Sequence, residues 1–264
     1  MWLTLPPDPL VGRGALPPAV VRALRVALFL LACSLLVGCP PAPGVSGGGV
    51  AMASASQSQP SIGQTQPGPA SSRPARGADA AGTALAGPPP PGLSVATFAG
   101  GCFWCMEGPF EALEGVVDAI SGYTGGPEPA PRYADVARGR TGHTEAVQVI
   151  FDPTRITYAA LLDVYWRQID PSDGGGQFAD RGPQYRPVIF VHDDAQRAAA
   201  EASRAAMEAS GRFRAPIVVP IEDAAAFWIA EDEHQNYYRT NPTHYQRYRR
   251  GSGREGFLRR TWGD

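Results

Sequence analysis

The sequence predicts a mixed α/β domain, in the α+β sense, with a central sheet flanked by helices, over residues 94–264. Two observations carry that expectation. Composition changes at about Ser94: nine of the ten Phe, four of the five Trp and all nine Tyr lie beyond it. Beyond it, short apolar strand-like runs also interleave with helix-like stretches across a length that suits one domain.

Each element has its own reason. Val95–Ala99 is a strand-like run that Gly100 and Gly101 break. A helix is expected from about Cys102 to Glu114, with Pro109 disturbing its middle. Val116–Ile120 suits a strand. Glu145–Phe151 alternates and is closed by Asp152-Pro153, a stronger strand signal. Thr157 can cap the helix that starts at Tyr158 and runs to Ile169. Pro187–His192 reads as a buried strand, and Asp193 or Asp194 caps an Ala-rich helix ending near Gly211. Ile217–Ile221 is expected as the last strand, and Asp223 as the start of a final helix through about Tyr238. Long Gly- and Pro-containing loops, 123–142 and 170–185, are where a site is expected.

The first 93 residues read differently. Arg22 and Arg25 precede a twelve-residue apolar run, Val26–Val37, too short to span about 30 Å of hydrocarbon but suited to a signal-peptide core. Leu36-Val37-Gly38-Cys39 closes it like a bacterial lipobox, so residues 1–39 are expected to be a signal whose Cys39 becomes lipidated; an ordinary cleaved signal or an uncleaved anchor are the alternatives. In residues 40–93, Pro, Gly, Ala and Ser make up 39 of 54 positions, and no aromatic is present. Such a chain buries too little apolar surface to offset its ordering entropy, so a disordered linker is expected. Together these segments predict an exported bacterial lipoprotein, tethered to a membrane only by its lipid and facing the periplasm or cell surface.

Charge excludes more than it identifies. All 23 basic residues are Arg against 25 acidic residues, for a net charge of −2. Without Lys there is no Schiff-base chemistry and no Walker-type phosphate loop. Near neutrality gives no argument for nucleic acid. Seven Arg between Arg239 and Arg260 face one acid, Glu255, and read first as a solvated face. Contact with an acidic partner or an anionic surface is the second reading.

The most informative segment is Gly100-Gly101-Cys102-Phe103-Trp104-Cys105-Met106-Glu107. Two glycines permit a tight turn from strand to helix, and Cys102 then falls in the first helical turn. Unpaired N–H groups and the helix dipole there are expected to lower a thiol pKa. Cys105, three residues on, shares its face. Cys102, nearer the helix end and solvent, is the expected nucleophile, and Cys105 its partner thiol. A zinc half-site and a structural buried pair remain open. His143, His192, His234 and His244 offer no spacing that completes a zinc site, and no metal is expected.

Six separated motifs in order carry a resemblance: GCFW at 101–104, GYTGG at 122–126, YADV at 133–136, TGHTEAV at 141–147, D-x-G-x-QYR at 180–186 and HQNYY at 234–238. The domain resembles the peptide methionine sulfoxide reductases of the A type, from about Val95 to the C-terminus. That resemblance implies a two-layer sandwich around a ferredoxin-like core sheet. It also implies reduction of methionine S-sulfoxide, free and in proteins, as repair of oxidised proteins. Cys102 attacks the sulfoxide sulfur and takes the oxygen as a sulfenic acid; a second thiol then gives a disulfide that an external thioredoxin-like dithiol reduces.

The resemblance assigns Glu145 as the general acid, which would otherwise read as a solvated strand-end charge. A carboxyl desolvated in a partly apolar site can protonate a sulfoxide oxygen. Tyr133 and Tyr185 match hydroxyl donors to that oxygen, though a Tyr more often simply packs. Phe103 and Trp104 match apolar walls around the substrate methyl group, and Asp180 a polar contact. His143 matches no catalytic role and reads as structural; Glu107 reads as a first-helix charge or a helper of the thiols. Many relatives carry recycling cysteines near the C-terminus, but the stretch after Tyr238 has none. Cys33 lies in the signal and Cys39 is expected to be lipidated, so Cys105 is the candidate resolving thiol. No organic cofactor and a monomer are expected. The rivals are a thioredoxin-like thiol–disulfide oxidoreductase, which gives no reason for Glu145 and the two Tyr, and a surface lipoprotein that only binds peptides.

Overall fold

The computed structural model describes residues 89–263. The expected signal, and the linker up to residue 88, lie outside the described residues. Among the described residues no helix is long and apolar enough to cross a membrane.

The chain opens with β1 (Ser94–Gly100), α1 (Phe103–Glu111), β2 (Val116–Thr124), the short α2 (Tyr133–Val136), β3 (Thr144–Phe151) and α3 (Tyr158–Trp166). A small hairpin follows, β4 (Gly176–Gln177) and β5 (Asp180–Arg181), then a 3-10 turn over Pro183–Tyr185. Next come β6 (Pro187–Val191), α4 (Asp194–Ala209), β7 (Ile221–Asp223) and β8 (Trp228–Ile229). A second 3-10 turn, Asp232–His234, leads to α5 (Tyr237–Thr240), α6 (Pro242–Gly251) and α7 (Arg254–Trp262).

Six strands form one sheet in the order β7-β6-β1-β3-β2-β8, antiparallel except for β6 with β7. Its centre, β6-β1-β3-β2, with α1 joining β1 to β2 and α3 in the β3–β6 crossover, is the ferredoxin-like arrangement. Alternation along the strands sorts the side chains. Phe98, Tyr123, Val147, Val149 and Ile189 share a core with Phe103, Met106 and Phe110 of α1, Leu161 and Trp166 of α3, and Ala200 of α4. Ala99, Ile120, Ala146, Val188 and Phe190 form a smaller second cluster, capped by Phe227 and Ile229. The sheet is therefore covered by the longer helices on one face and by the 224–229 segment on the other.

Caps act as expected: Thr157 accepts from the N–H of Ala160, and Asp193 from that of Gln196. Two C-terminal expectations are corrected. Only Ile221 of the expected 217–221 strand is in a strand, because Pro216 and Pro220 interrupt the run and pairing begins at Ile221↔Ile189. The expected 223–238 helix is instead β8, a 3-10 turn and the start of α5; Ala224, Phe227 and Ile229 pack against the sheet rather than along a helical stripe. The tail holds α6 and α7, which the sequence reading left unassigned.

Candidate active site

The site forms where β1 ends. Gly101 turns the chain at φ +82°, and a Cβ there would lie 2.6 Å from the Cβ of Gln177 and 2.8 Å from Arg254 Nη2, so only glycine fits. Cys102 then stands at the N-cap of α1, one position before the first turn. It is 6% exposed and Cys105 is fully buried; both are free thiols.

The expected lowering of the Cys102 pKa is corrected. Burial pushes its thiol well above the ordinary value, and Glu145, Cys105 and Asp180 push it the same way; only a Tyr248 hydroxyl contact acts against them. Loss of water and three nearby acidic groups outweigh the helix terminus.

Glu145 is the second residue of β3, opposite Tyr123 on β2, and points toward the helices. The backbone N–H of Phe103, next in chain to Cys102, donates to its Oε2 at 3.0 Å. Its carboxyl is 1% exposed. Burial raises its pKa to about 8; the Phe103 N–H opposes that shift in part and Asp180 adds to it. At neutral pH it is therefore mostly a buried acid holding a proton beside the sulfur.

Both expected loops deliver residues here. Tyr133 starts α2, its N–H donating to Glu231 Oε1 at 2.9 Å. Tyr185 ends the 3-10 turn that Thr144 Oγ1 anchors by donating to Gln184 O at 3.0 Å. Gln184 Nε2 donates to Ala137 O at 3.0 Å and ties the two tyrosine-bearing segments together. Burial, then Glu145, raises the hydroxyl of Tyr133 to about 12 and that of Tyr185 further, so both stay protonated donors. Asp180 starts β5, feels burial as a raised pKa, and accepts from Tyr248 Oη on α6.

The apolar residues separate. Phe103 is fully buried, its ring 5.3 Å from that of His234 and 5.9 Å from that of Tyr123. Trp104 is half-buried, stacks on Tyr237 at 3.8 Å, and meets Tyr248 edge-on at 5.8 Å. Its Nε1–H donates to His234 Nδ1 at 3.2 Å, which puts the imidazole proton on Nε2. Burial lowers the His234 pKa, so the ring is neutral.

Several residues in and around this site have partners that sequence reasoning did not foresee. Glu231 accepts from Tyr123 Oη at 2.7 Å and from the N–H of Tyr133. Glu107, fully buried, accepts from Ser121 Oγ at 3.2 Å and from the N–H of Asn236 at 2.9 Å, so it pins the strap that carries His234. The solvated-face reading of the Arg-rich tail is corrected for two members: Arg254 is 1% exposed, and half-buried Arg249 donates to Cys105 O at 3.2 Å. The available signal was the helical spacing of Tyr245, Tyr248 and Arg249, which sets one face of a helix inward. His143 accepts from the N–H of Gly126 at 3.3 Å and bonds Glu128 O at 2.7 Å, holding the 126–143 loop ends together. Among the described residues no group of three His, Cys, Asp or Glu could hold a metal ion.

Residues 94–264 match the family model described as peptide methionine sulfoxide reductase. The chain is similar to the peptide methionine sulfoxide reductase MsrA of Bacillus pumilus, 54% identical over 170 residues, covering 64% of this chain and 96% of that protein. Against the MsrA of Bacillus subtilis the identity is 53% over 169 residues, with the same shares. Among solved structures, Mxr1 from Saccharomyces cerevisiae in reduced form aligns with a TM-score of 0.55 at 30% identity, covering 61% of this chain and 91% of that one. Methionine sulfoxide reductase A of Corynebacterium diphtheriae aligns with a TM-score of 0.51 at 33% identity, covering 58% and 77%.

Proposed function

The chain belongs to the peptide methionine sulfoxide reductase family, of the MsrA type, and is an oxidoreductase that reduces methionine sulfoxide; from that premise we infer how its own residues do so. The observation that carries the reading is the protonated, buried Glu145 held on the N–H that follows Cys102.

Cys102 is the nucleophile and Glu145 the general acid. The sulfoxide oxygen sits where Glu145, Tyr133 and Tyr185 can donate to it. Protonation draws electrons from the substrate sulfur, and Cys102 attacks. The net step is thiol plus sulfoxide to sulfenic acid plus thioether, with one oxygen transferred and no net proton released. A protonated resting thiol is compatible with that balance. Tyr248, whose hydroxyl donates to Asp180 in the resting site, turns that proton toward Cys102 as the sulfur ionises. Trp104 and Phe103 form the apolar wall for the substrate methyl, and Asp180 helps orient the polar side.

Cys105 then condenses with the Cys102 sulfenic acid, releasing water, and a thioredoxin-like dithiol reduces the disulfide. The expected substrates are the S-epimer of the free amino acid and of oxidised proteins. From residues 1–93 we also infer export and lipidation at Cys39, so that the enzyme works outside the cytoplasm; a monomer is the expected state. Labelling with a fatty acid, lost in Cys39→Ser, tests the anchor.

Epimer-resolved turnover by the full chain is the central test. Wild type should consume the S-epimer with dithiothreitol and Cys102→Ser should be inactive; with a thioredoxin-like protein as reductant, which needs a disulfide to reduce, Cys105→Ser should release one equivalent of methionine and stall. A Cys102→Ser variant that keeps turning over sinks the assignment.

A further inference from the structure

The two sulfurs of the C-x-x-C pair differ in their charged neighbours: Glu145 and Asp180 act on Cys102, whereas Arg254 and Arg249 act on Cys105 together with Asp180. A helical N–H at position 109 would bond the carbonyl of Cys105, four residues back, but proline has none. Arg249 of α6 takes that open acceptor, its Nη1 donating to Cys105 O at 3.2 Å, while its Nη2 donates to Gln168 Oε1 at 3.0 Å. Arg254 of α7 lies on the same side, fully buried, donating to Gly100 O at 2.9 Å, to Gln168 O and toward Met106 Sδ at 3.8 Å.

We propose that Arg249, seated on the carbonyl that Pro109 leaves free and seconded by Arg254, is a positioning residue of the resolving step: it holds positive charge beside Cys105 so that this thiol ionises and attacks the Cys102 sulfenic acid. The proposal rests on the reading of Cys105 as resolving thiol. In the step, the Cys105 thiolate forms the S–S bond, the S–O bond of the sulfenic acid breaks, and the hydroxide takes a proton to leave as water. The groups facing Cys105 are Cys102 at the N-cap, Asp180 from β5, Tyr245, Tyr248 and Arg249 from α6, and Arg254 from α7. Burial and Asp180 raise this thiol and Arg254 and Arg249 pull it back, whereas Glu145 and Asp180 both raise Cys102.

The test is a single turnover of the full chain without reductant, following methionine release and, separately, disulfide formation, from pH 6 to pH 10. Arg249→Gln should release its first equivalent of methionine within about twofold of wild type. Its disulfide step should slow about tenfold at pH 7, the effect of one pKa unit on thiolate fraction. That deficit should shrink toward pH 10, and Arg249→Lys should recover most of the rate. Pro109→Ala, which restores a competing N–H, should show a weaker deficit of the same pH shape. A deficit of equal size at every pH, or none, overturns the proposal. If instead Cys105→Ser recycles normally, the resolving-thiol reading itself has failed, and that result is distinct from a pH-independent Arg249→Gln.

Discussion

The reacting groups and the groups that tune them come from two differently built regions. Cys102, Glu145 and Phe103 stand on the ends of β1, α1 and β3, the best-paired strands and the helix packed on them. His234, Tyr237, Tyr248, Arg249 and Arg254 come from a C-terminal strap of short turns and helices whose interior contacts are mostly polar or aromatic. The first region fixes the distance between sulfur and acid through the sheet register. The second stands outside that register and brings Tyr248 beside Cys102 and Arg249 and Arg254 beside Cys105. Variants in the two regions should therefore fail in different ways.

The largest effect belongs to the sheet region. Glu145→Gln should cut kcat/KM by about a hundredfold to ten-thousandfold, the usual worth of a positioned general acid. Wild-type activity should decline as pH rises through about 8, where the carboxyl loses its proton, and the variant should lack that limb. The same titration removes stability from the wild type, so the substitution that costs activity should gain in relative stability. A carboxyl whose folded pKa exceeds its unfolded one favours the fold below the unfolded pKa and loses that contribution as pH rises through about 8. Thermal unfolding should therefore find Glu145→Gln gaining on wild type as pH rises from 5 to 9; a constant difference would remove Glu145 as a buried acid.

Next comes the joint between the regions. Glu107→Gln replaces a fully buried carboxylate that accepts from Ser121 and the Asn236 N–H. It should cost ~1–3 kcal/mol in denaturant unfolding. Activity should fall with it, because the same bond carries His234 to Trp104. Unaltered stability would show that the strap is held elsewhere. Where α1 meets the strap, Trp104→Phe keeps an aromatic wall but loses the bond to His234. A loss of ~1 kcal/mol corresponds to about fivefold in KM, with kcat little changed.

How much of this was legible follows the same division. β1, β3 and β6 announce themselves by apolar runs, and Thr157 and Asp193 by capping, because these features are local. Cys102 and Glu145 stood in motifs, yet their 43-residue separation is closed only by strand pairing. The thiol's raised pKa could not be read from its helix-start position, since it arises from burial and from Glu145 and Asp180, which are distant in sequence. The strap was misread for a physical reason. Ala224–Ile229 is Ala-rich and helix-like by composition, but tertiary burial against β2 makes Trp228–Ile229 a strand. Arg254 and Arg249 resemble surface cations, because nothing local marks the carbonyls of Gly100, Cys105 and Gln168 as awaiting donors, apart from the proline four residues after Cys105.

The smallest effect checks that the strap acts through particular groups rather than as one rigid block. Arg212 caps the far end of α7, its guanidinium 4.3 Å from the Trp262 ring centroid and its Nη1 donating to Thr261 O at 2.7 Å. Arg167 sits over the same ring at 4.7 Å, a second cation contact that Arg212→Ala does not delete. Arg212→Ala should therefore cost only ~0.5–1 kcal/mol in stability, the worth of one exposed cation–π contact. Neither methionine release nor disulfide formation should change, since none of its bonds reaches either sulfur. If Arg212→Ala slows the disulfide step as Arg249→Gln does, and with the same pH shape, then docking of α7 as a whole sets the resolving thiol, and the local charge at Cys105 does not.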